Sequence, residues 1–489
     1  MNKKIIPLLA LSLLTIYSCD NDNSNSNSSN LIDFNIIEFN DVHGYVESNK
    51  NGGLANASYL LNEIRNQDSL DNTLVIGNGD MFQGTALVRM DYGKSMIDMM
   101  NQMEFDATCI GNHEFDWGLD KILTYFDGDK ENGEAKFPLL NANLYDNSSN
   151  ELVGYDSDTI TPSTIVEKEG VKIGIIGYIG NVASSINYNM IKDYTIDTDF
   201  SSSTAKEAKA LKAKGCEIIV VSIHGASSSG VYDYNPNKQL ARIKDDSGNY
   251  LIDAVINGHT HTNQDGIIER DNSVGMPVIQ SSGNLKDFGR IKLTYNRETK
   301  TITKAITSHI DVNSTKYDEN ITNIIEATKK EYETQLTEVY CYNSNTINRY
   351  NDSIRRWAGT LMMTSTNTNV AIYNAGALRS NLNKGEITYN EVYSFNPFDN
   401  HIIVVPLSGK AIKDFMSKND DYEVCITSFE SYSMLEDNEV YSLSIIDYVY
   451  FSSYFDDYRP SSYNDTNIIL RDLMIKSFKT YKDTGFKLN

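Results

Sequence analysis

The chain is poor in cysteine and proline, with five and eight respectively in 489 residues, and it has no CxxC pair. Cysteines this few and scattered exclude a disulfide-stapled scaffold and a thiolate metal site. Cationic side chains are scarce as well: 43 Lys and Arg against 66 Asp and Glu, a formal charge of -23. That excess repels nucleic acid polymers and anionic membrane surfaces, so neither is expected as a main partner. No apolar run is long enough to span a bilayer. No segment repeats, which excludes a fibrous structural protein. What remains is 40% hydrophobic and 10% aromatic, the composition of a soluble globular protein, at a length that most naturally makes two domains.

The longest apolar run lies near the N-terminus. Lys3 and Lys4 precede "IIPLLALSLLTIY", which fits the core of a signal peptide and leads into "IYSC". That ending resembles the bacterial lipobox, whose cysteine is lipidated and becomes the mature N-terminus; the resemblance nominates Cys19. Residues 1–19 are therefore expected to be a lipoprotein signal, and "DNDNSNSNSSN" (20–30) a flexible polar tether. Anchor, tether and globular body together predict an extracytoplasmic protein, held at the cell membrane or outer membrane through its lipid alone. Cys109, Cys216, Cys341 and Cys425 read mostly as core thiols.

Residues 31–315 alternate short apolar runs with helix-compatible stretches. "IIEFN", "TLVIGN", "FDATCIG", "VKIGIIGYIG", "EIIVVSIHG" and "IDAVINGH" are rich in Ile and Val and end in Gly, Asn or His. They read as buried strands, with helices at "GGLANASYLLNEIRNQ" and "SSTAKEAKALKAKG", in a layered α/β domain. A later strand pair, "MPVIQSSGN" and "GRIKLTYN", is expected to finish it. Residues 316–340 read as one exposed linking helix. Residues 341–489 form a second, smaller α/β domain, with a helix near "SIRRWAGTLMM" and strands at "NVAIYNAG" and "HIIVVPLSG".

Histidine placement is the sharpest signal. Of seven histidines, five (His43, His113, His224, His259 and His261) stand in turns that follow predicted strands. "NDVHG" adds Asp41, "GNGDMFQG" adds Asp80, and "CIGNHEFDWG" adds Asn112, Glu114 and Asp116. His309 and His401 have no such setting and are assigned to structure. Mixed Asp, His and Asn donors without cysteine suit Zn²⁺ or Mn²⁺. Leaving His113 aside, Asp41, His43, Asp80, Asn112, His224, His259 and His261 are too many for one tetrahedral centre. They fit two divalent ions sharing one carboxylate, which would also create a positive spot in an acidic protein.

The ordered blocks D-x-H, G-D, G-N-H-[DE], H and G-H-x-H resemble the signature of calcineurin-like metallophosphoesterases. More narrowly, "EFNDVHG", "GDMFQGTAL", "GNHEFDWG" and "NGHTH" resemble the bacterial 5'-nucleotidase and UDP-sugar hydrolase family, with its 2',3'-cyclic phosphodiesterase branch. The resemblance implies a four-layer α/β/β/α sandwich followed by the smaller α/β domain. It implies Asp41, His43 and His261 on one metal, Asn112, His224 and His259 on the other, and Asp80 between them. His113 would be the non-ligand histidine near the phosphate or leaving oxygen, oriented by Asp116. Glu114 is left as a surface or supporting residue.

In the second domain, "YNAGALRSNLNKGEITYNEVYSFNPFDNHIIVVPLSGKAI" is similar, in order, to the family's N-G-G-G-I-R, G-x-[IV]-T, P-F-x-N and [LK]-x-G blocks. The resemblance carries substrate binding to Asn374, Arg379 and Phe398: Arg379 on phosphate, Phe398 stacked on the nucleobase. Tyr448 is the candidate second ring, and Arg355 or Arg356 stands in for an arginine of a helix-start block that survives only as "RRWAGT". The departures leave phosphoester hydrolysis intact and leave nucleotide specificity open. Nucleoside 5'-monophosphates are the leading substrates, with 2',3'-cyclic nucleotides and UDP-sugars as rivals, and a non-catalytic nucleotide- or host-binding surface lipoprotein as the reading of another class.

Overall fold

The computed structural model describes residues 30–47, 52–154, 159–419, 422–426 and 431–488, with no side-chain description for 422–426. The signal segment with Cys19, the tether apart from Asn30, and the Cys425 side chain lie outside the described residues. Among the described residues, no helix is long and apolar enough to cross a membrane.

The first body is built on two six-stranded sheets. In one, Leu31–Phe39, Thr73–Asn78, Ala107–Cys109 and Leu139–Leu140 run parallel, and Asp287–Asn296 and Thr301–Asp311 complete it antiparallel. In the other, Met276–Gln280, Ala254–Ile256, Ile218–His224 and Val171–Ile179 run parallel between two antiparallel edge strands. The sheets face one another. Phe34, Ile36, Leu74 and Ile76 of the first pack with Ile173, Ile218, Val220 and Ile256 of the second. Helices Leu54–Asp68 and Lys94–Gln102 cover one outer face, and Phe200–Ala213 covers the other. Burial on both faces explains why the central strands read as unbroken apolar runs. The result is the four-layer α/β/β/α sandwich.

Two expectations need correction. "MPVIQSSGN" and "GRIKLTYN" do not pair; they lie in opposite sheets, and the chain crosses between them at Ser281–Lys286. Asp287–Asn296 pairs instead with Leu31–Phe39 on one side and, on the other, with Thr301–Asp311, a mostly exposed edge strand whose Thr, Lys and Ser obscure the apolar signal. Nor is 316–340 one exposed helix. It runs Glu319–Glu331, breaks at Tyr332 and resumes at Glu333–Thr337. Ile321 and Ile325 are buried against the first body, and the Asp318 carboxylate that caps the helix also accepts the Ser58 hydroxyl at 2.7 Å.

The second body has its own core, formed around a five-stranded sheet ordered Tyr422–Ile426, Val370–Asn374, Val440–Ile446, His401–Ser408 and Asn464–Ile469. Helices Asp352–Thr366 and Leu470–Thr480 pack on it. The tyrosine-rich stretch after residue 440 resolves into a strand, a short helix Asp447–Tyr450 and a 3-10 turn Ser453–Tyr458. Cys109, Cys216 and Cys341 are free and buried, as core thiols should be.

Candidate metal centre and its cleft

The parallel strands of both sheets end toward one edge of the sandwich, so the turns that follow them converge. Asp41 and His43 follow Leu31–Phe39, and Asp80 follows Thr73–Asn78. Asn112 follows Ala107–Cys109, His224 closes Ile218–His224, and His259 and His261 follow Ala254–Ile256. Loops carried on a rigid sheet are where a precise constellation can be held. The turns are tight: Asp41, His43, Asp80, His259 and His261 all adopt positive φ, from 50° to 82°. Gly79 shares that conformation, and a Cβ there would lie 2.6 Å from His224 Nδ1.

The side chains gather as two groups that share Asp80. Asp41, His43, Asp80 and His261 offer donor atoms within 4.8 Å of one another, and so do Asp80, His224 and His259. His261 Nε2 is 3.2 Å from Asp41 Oδ1, and His224 Nε2 is 3.2 Å from Asp80 Oδ2. Asn112 Oδ1 faces both His224 Nε2 at 3.3 Å and His259 Nδ1 at 2.8 Å.

This donor set fits divalent cations. His43 Nδ1 meets the Gln83 carbonyl at 2.9 Å, and His224 Nδ1 meets the Asn78 carbonyl at 2.7 Å. A carbonyl only accepts, so each Nδ1 carries the hydrogen and each Nε2 faces inward, that of His43 as a lone pair. His224 Nε2 faces Asp80: burial works against its charge, but Asp80 pushes the imidazole up to about 10, a proton that a bound cation would displace. His43 Nε2 and His261 Nε2 face each other at 3.0 Å. Asp41 Oδ1 is buried among three imidazole Nε2 atoms, those of His261 at 3.2 Å, His43 at 3.9 Å and His224 at 4.0 Å. Burial, above all, holds His43 and His259 down to about 3 and about 4, as neutral donors. Burial opposes ionisation of Asp41 and Asp80, yet the surrounding imidazoles hold both below the usual carboxylate range.

Glu114, which the sequence left as a surface or supporting residue, takes the supporting role. It is 1% exposed, and its carboxylate accepts the backbone N–H groups of Asp80 at 2.8 Å, Met81 at 2.9 Å and Gly111 at 2.6 Å. It thereby clamps the Asp80 turn to the Asn112 turn. Burial, then the Asp80 charge, push it up to about 7. The only hint in the sequence was its place one residue after His113.

His113 stands beside the cluster. Its Nδ1 meets Asp116 Oδ2 at 2.8 Å, and its backbone N–H donates to Asp80 Oδ1 at 2.8 Å. Burial works against its charge, but Asp116 and Asp80 push it up to about 9. His309 and His401 lie apart from the cluster and pair with Asp287 and Asp465.

Between the bodies a cavity of about 520 Å³ is lined by His43, His113 and His261 from below and by Arg349, Arg379 and Phe398 from above. An adjoining space of about 240 Å³ adds Asp80, Asn112, His259, Asn374 and Tyr448. Arg379, Phe398, Tyr448 and Asn374 thus share the cleft. Arg355 does not line it: its Nε donates to the Arg349 carbonyl at 3.3 Å and its guanidinium lies over Tyr350. Arg349, just before the helix Asp352–Thr366, takes the place expected of it. Nothing in "NRYNDS" flagged that residue, because its direction is fixed by the loop 378–379, whose carbonyls accept from its Nη1 at 3.0 and 2.9 Å.

Comparison with known proteins gives the fold its relatives. The calcineurin-like phosphoesterase family matches residues 34–263, and the C-terminal domain of 5'-nucleotidases matches residues 323–450. The chain is 26% identical over 78% of its length to endonuclease YhcR of Bacillus subtilis (strain 168), spanning 32% of that protein. It is 22% identical over 85% of its length to the 5'-nucleotidase of Vibrio parahaemolyticus, of which it covers 80%. Across the first curated relatives it matches, it spans about a third of their length. Among solved structures, the 5'-nucleotidase precursor of Thermus thermophilus superposes with a TM-score of 0.75 at 18% identity, covering 93% of this chain and 98% of that one.

Proposed function

Because the chain belongs to the calcineurin-like metallophosphoesterases that carry a 5'-nucleotidase C-terminal domain, we propose that it hydrolyses nucleotide phosphomonoesters, nucleoside 5'-monophosphates first, outside the cytoplasm. The observation that carries this reading is the convergence of two donor groups on Asp80 beneath a cleft roofed by Arg379 and Phe398. Asp41, His43 and His261 would hold one divalent cation, Asn112, His224 and His259 the other, and Asp80 both. When bound, such a pair supplies an ionised water at neutral pH and neutralises charge building on the phosphoryl oxygens.

The chain's own residues do the rest. Asp116 takes up His113 Nδ1, so the imidazole is oriented with Nε2 free to give a hydrogen bond, or a proton, to the departing oxygen. Arg379, joined by Arg349, offers planar donor forks to the phosphoryl group. The Phe398 ring, with Tyr448 across the adjoining space, gives the base a flat apolar surface. Both bodies close around the ester, excluding bulk water from the reacting centre.

The test is a substrate panel in Mn²⁺ or Zn²⁺: adenosine 5'-monophosphate, adenosine 2',3'-cyclic phosphate and UDP-glucose. The highest kcat/KM should fall on the monophosphate and vanish reversibly with chelator. Preference for either other substrate would move the chain to that branch, and turnover of none, with fewer than about two ions bound per chain, would leave a nucleotide- or host-binding surface protein instead. Lipid attachment at Cys19 is part of the proposal. Labelled palmitate should enter the wild-type chain and not Cys19→Ala.

A further inference from the structure

The segment that carries Phe398 is tied to the first body on both sides of the ring. On one side, Gln83 Nε2 donates to the Pro397 carbonyl at 3.4 Å. On the other, Arg89 Nη2 donates to Asp399 Oδ2 at 3.0 Å. The second carboxylate oxygen of Asp399 is held by Arg471, a guanidinium only 3% exposed, which also donates to the Phe398 carbonyl at 3.2 Å and lies over the Tyr393 ring. Asp399 therefore sits between two arginines, one from each body.

Arg89 is itself fixed. It belongs to the short helix Ala86–Met90 that follows the Asp80 turn, and its guanidinium lies 3.9 Å from the Tyr92 ring centroid and 5.8 Å from that of Trp117. Burial works against the charge on Asp399, but Arg471 and Arg89 together hold its carboxyl below the ordinary value. The geometric result is that the Phe398 ring lies nearly parallel to His113, with centroids 6.4 Å apart and planes at 23°.

We propose that Arg89 is a positioning residue: through Asp399 it sets the Phe398 ring against the His113 side of the cleft, and so decides how well a phosphoester bearing a planar ring is held. The bridge spans the two bodies, whereas the Asp399–Arg471 pair lies within one. Removing Arg89 therefore cuts the charged tie between the ring's segment and the metal-side body, leaving the longer Gln83–Pro397 bond, without disturbing the core of the second body. The proposal rests on the nucleotide reading above for its substrate class, but the bridge itself is a property of the folded chain.

The experiment compares Arg89→Met and Arg89→Lys with wild type in the full chain with Mn²⁺. In Arg89→Met, kcat/KM for adenosine 5'-monophosphate should fall on the order of tenfold relative to that for ring-free glycerol 3-phosphate, mostly through KM. Arg89→Lys should recover part of that loss. Amide hydrogen exchange across 394–401, measured without substrate, should quicken in Arg89→Met while the exchange of 402–408 stays put. Equal losses on both esters, or unchanged exchange at 394–401, would overturn the proposal. The exchange arm needs no turnover, so a bridge that holds in a chain inactive on nucleotides would count against the nucleotide reading alone.

Discussion

The two bodies place their chemistry differently. In the first, each candidate ligand stands at the end of a parallel strand or in the turn that follows it, and the sheets aim those ends at one point. In the second, Arg349, Arg379, Phe398 and Tyr448 come from a loop, the stretch just after a 3-10 turn, an irregular segment and a short helix. A strand end inherits its direction from the sheet, whereas a loop residue takes it from whichever neighbours hold it. Chemistry placed by strands therefore tolerates little change in residue type, while recognition placed by loops can be re-aimed by a distant ion pair.

The largest effect should come from the shared carboxylate. Asp80→Asn keeps a residue tolerant of positive φ and an acceptor for the His113 N–H, yet removes the charge. Hydrolysis should fall on the order of a thousandfold or more and bound metal should drop, with circular dichroism unchanged. Near-full activity would break the contrast, since the strand-end cluster would then not be the centre of the chemistry. Next comes Glu114→Gln, which puts an amide NH2 where three backbone N–H groups converge. Metal affinity by calorimetry should weaken about 10- to 100-fold, as when an outer-shell partner is lost.

Smaller effects belong to the second body. Phe398→Ala should raise KM for a nucleotide about tenfold, the worth of one base–ring stack, with kcat little changed. A collapse of kcat instead would assign the ring to the chemistry and blur the contrast. The last effect, on stability and not on turnover, sits at another joint between the bodies, where Asn187 Nδ2 donates to Asp447 Oδ2 at 2.8 Å. Burial pushes the Asp447 carboxyl from 3.8 up to about 6. A carboxyl with its native pKa above the unfolded value favours folding most when protonated, and that advantage is lost as pH rises from the unfolded value through about 6. Asp447→Asn should remove that loss. Its stability, followed by thermal melting, should decline less than wild type's between about pH 4 and pH 7, by about 2 kcal/mol.

How much of this was legible follows the same division. Strand-end turns declare themselves, because an Ile/Val run stopping at Gly, Asn or His fixes both direction and neighbourhood; Asp41, Asp80 and "NGHTH" could be grouped before any coordinates. Glu114 could not be placed, since a carboxylate that clamps backbone amides looks like any polar turn residue until the turns meet. The edge strand Thr301–Asp311 escaped because its exposed face carries Lys and Thr. Arg349 and the Arg89–Asp399 bridge escaped for a further reason: each depends on residues far apart in the chain, with no periodicity to announce the pairing.

The positive φ angles at Asp41, His43, Asp80, His259 and His261 carry a last consequence. An ordinary side chain in that conformation costs about 1–2 kcal/mol, and Asp and His less than that but more than glycine, so this small edge of the molecule sits uphill of what its sequence could reach with glycine. Selection for heat resistance alone, with catalysis unwatched, should discard these residues early. A laboratory lineage bred only to survive boiling would be expected to go blind to phosphate before it lost its shape.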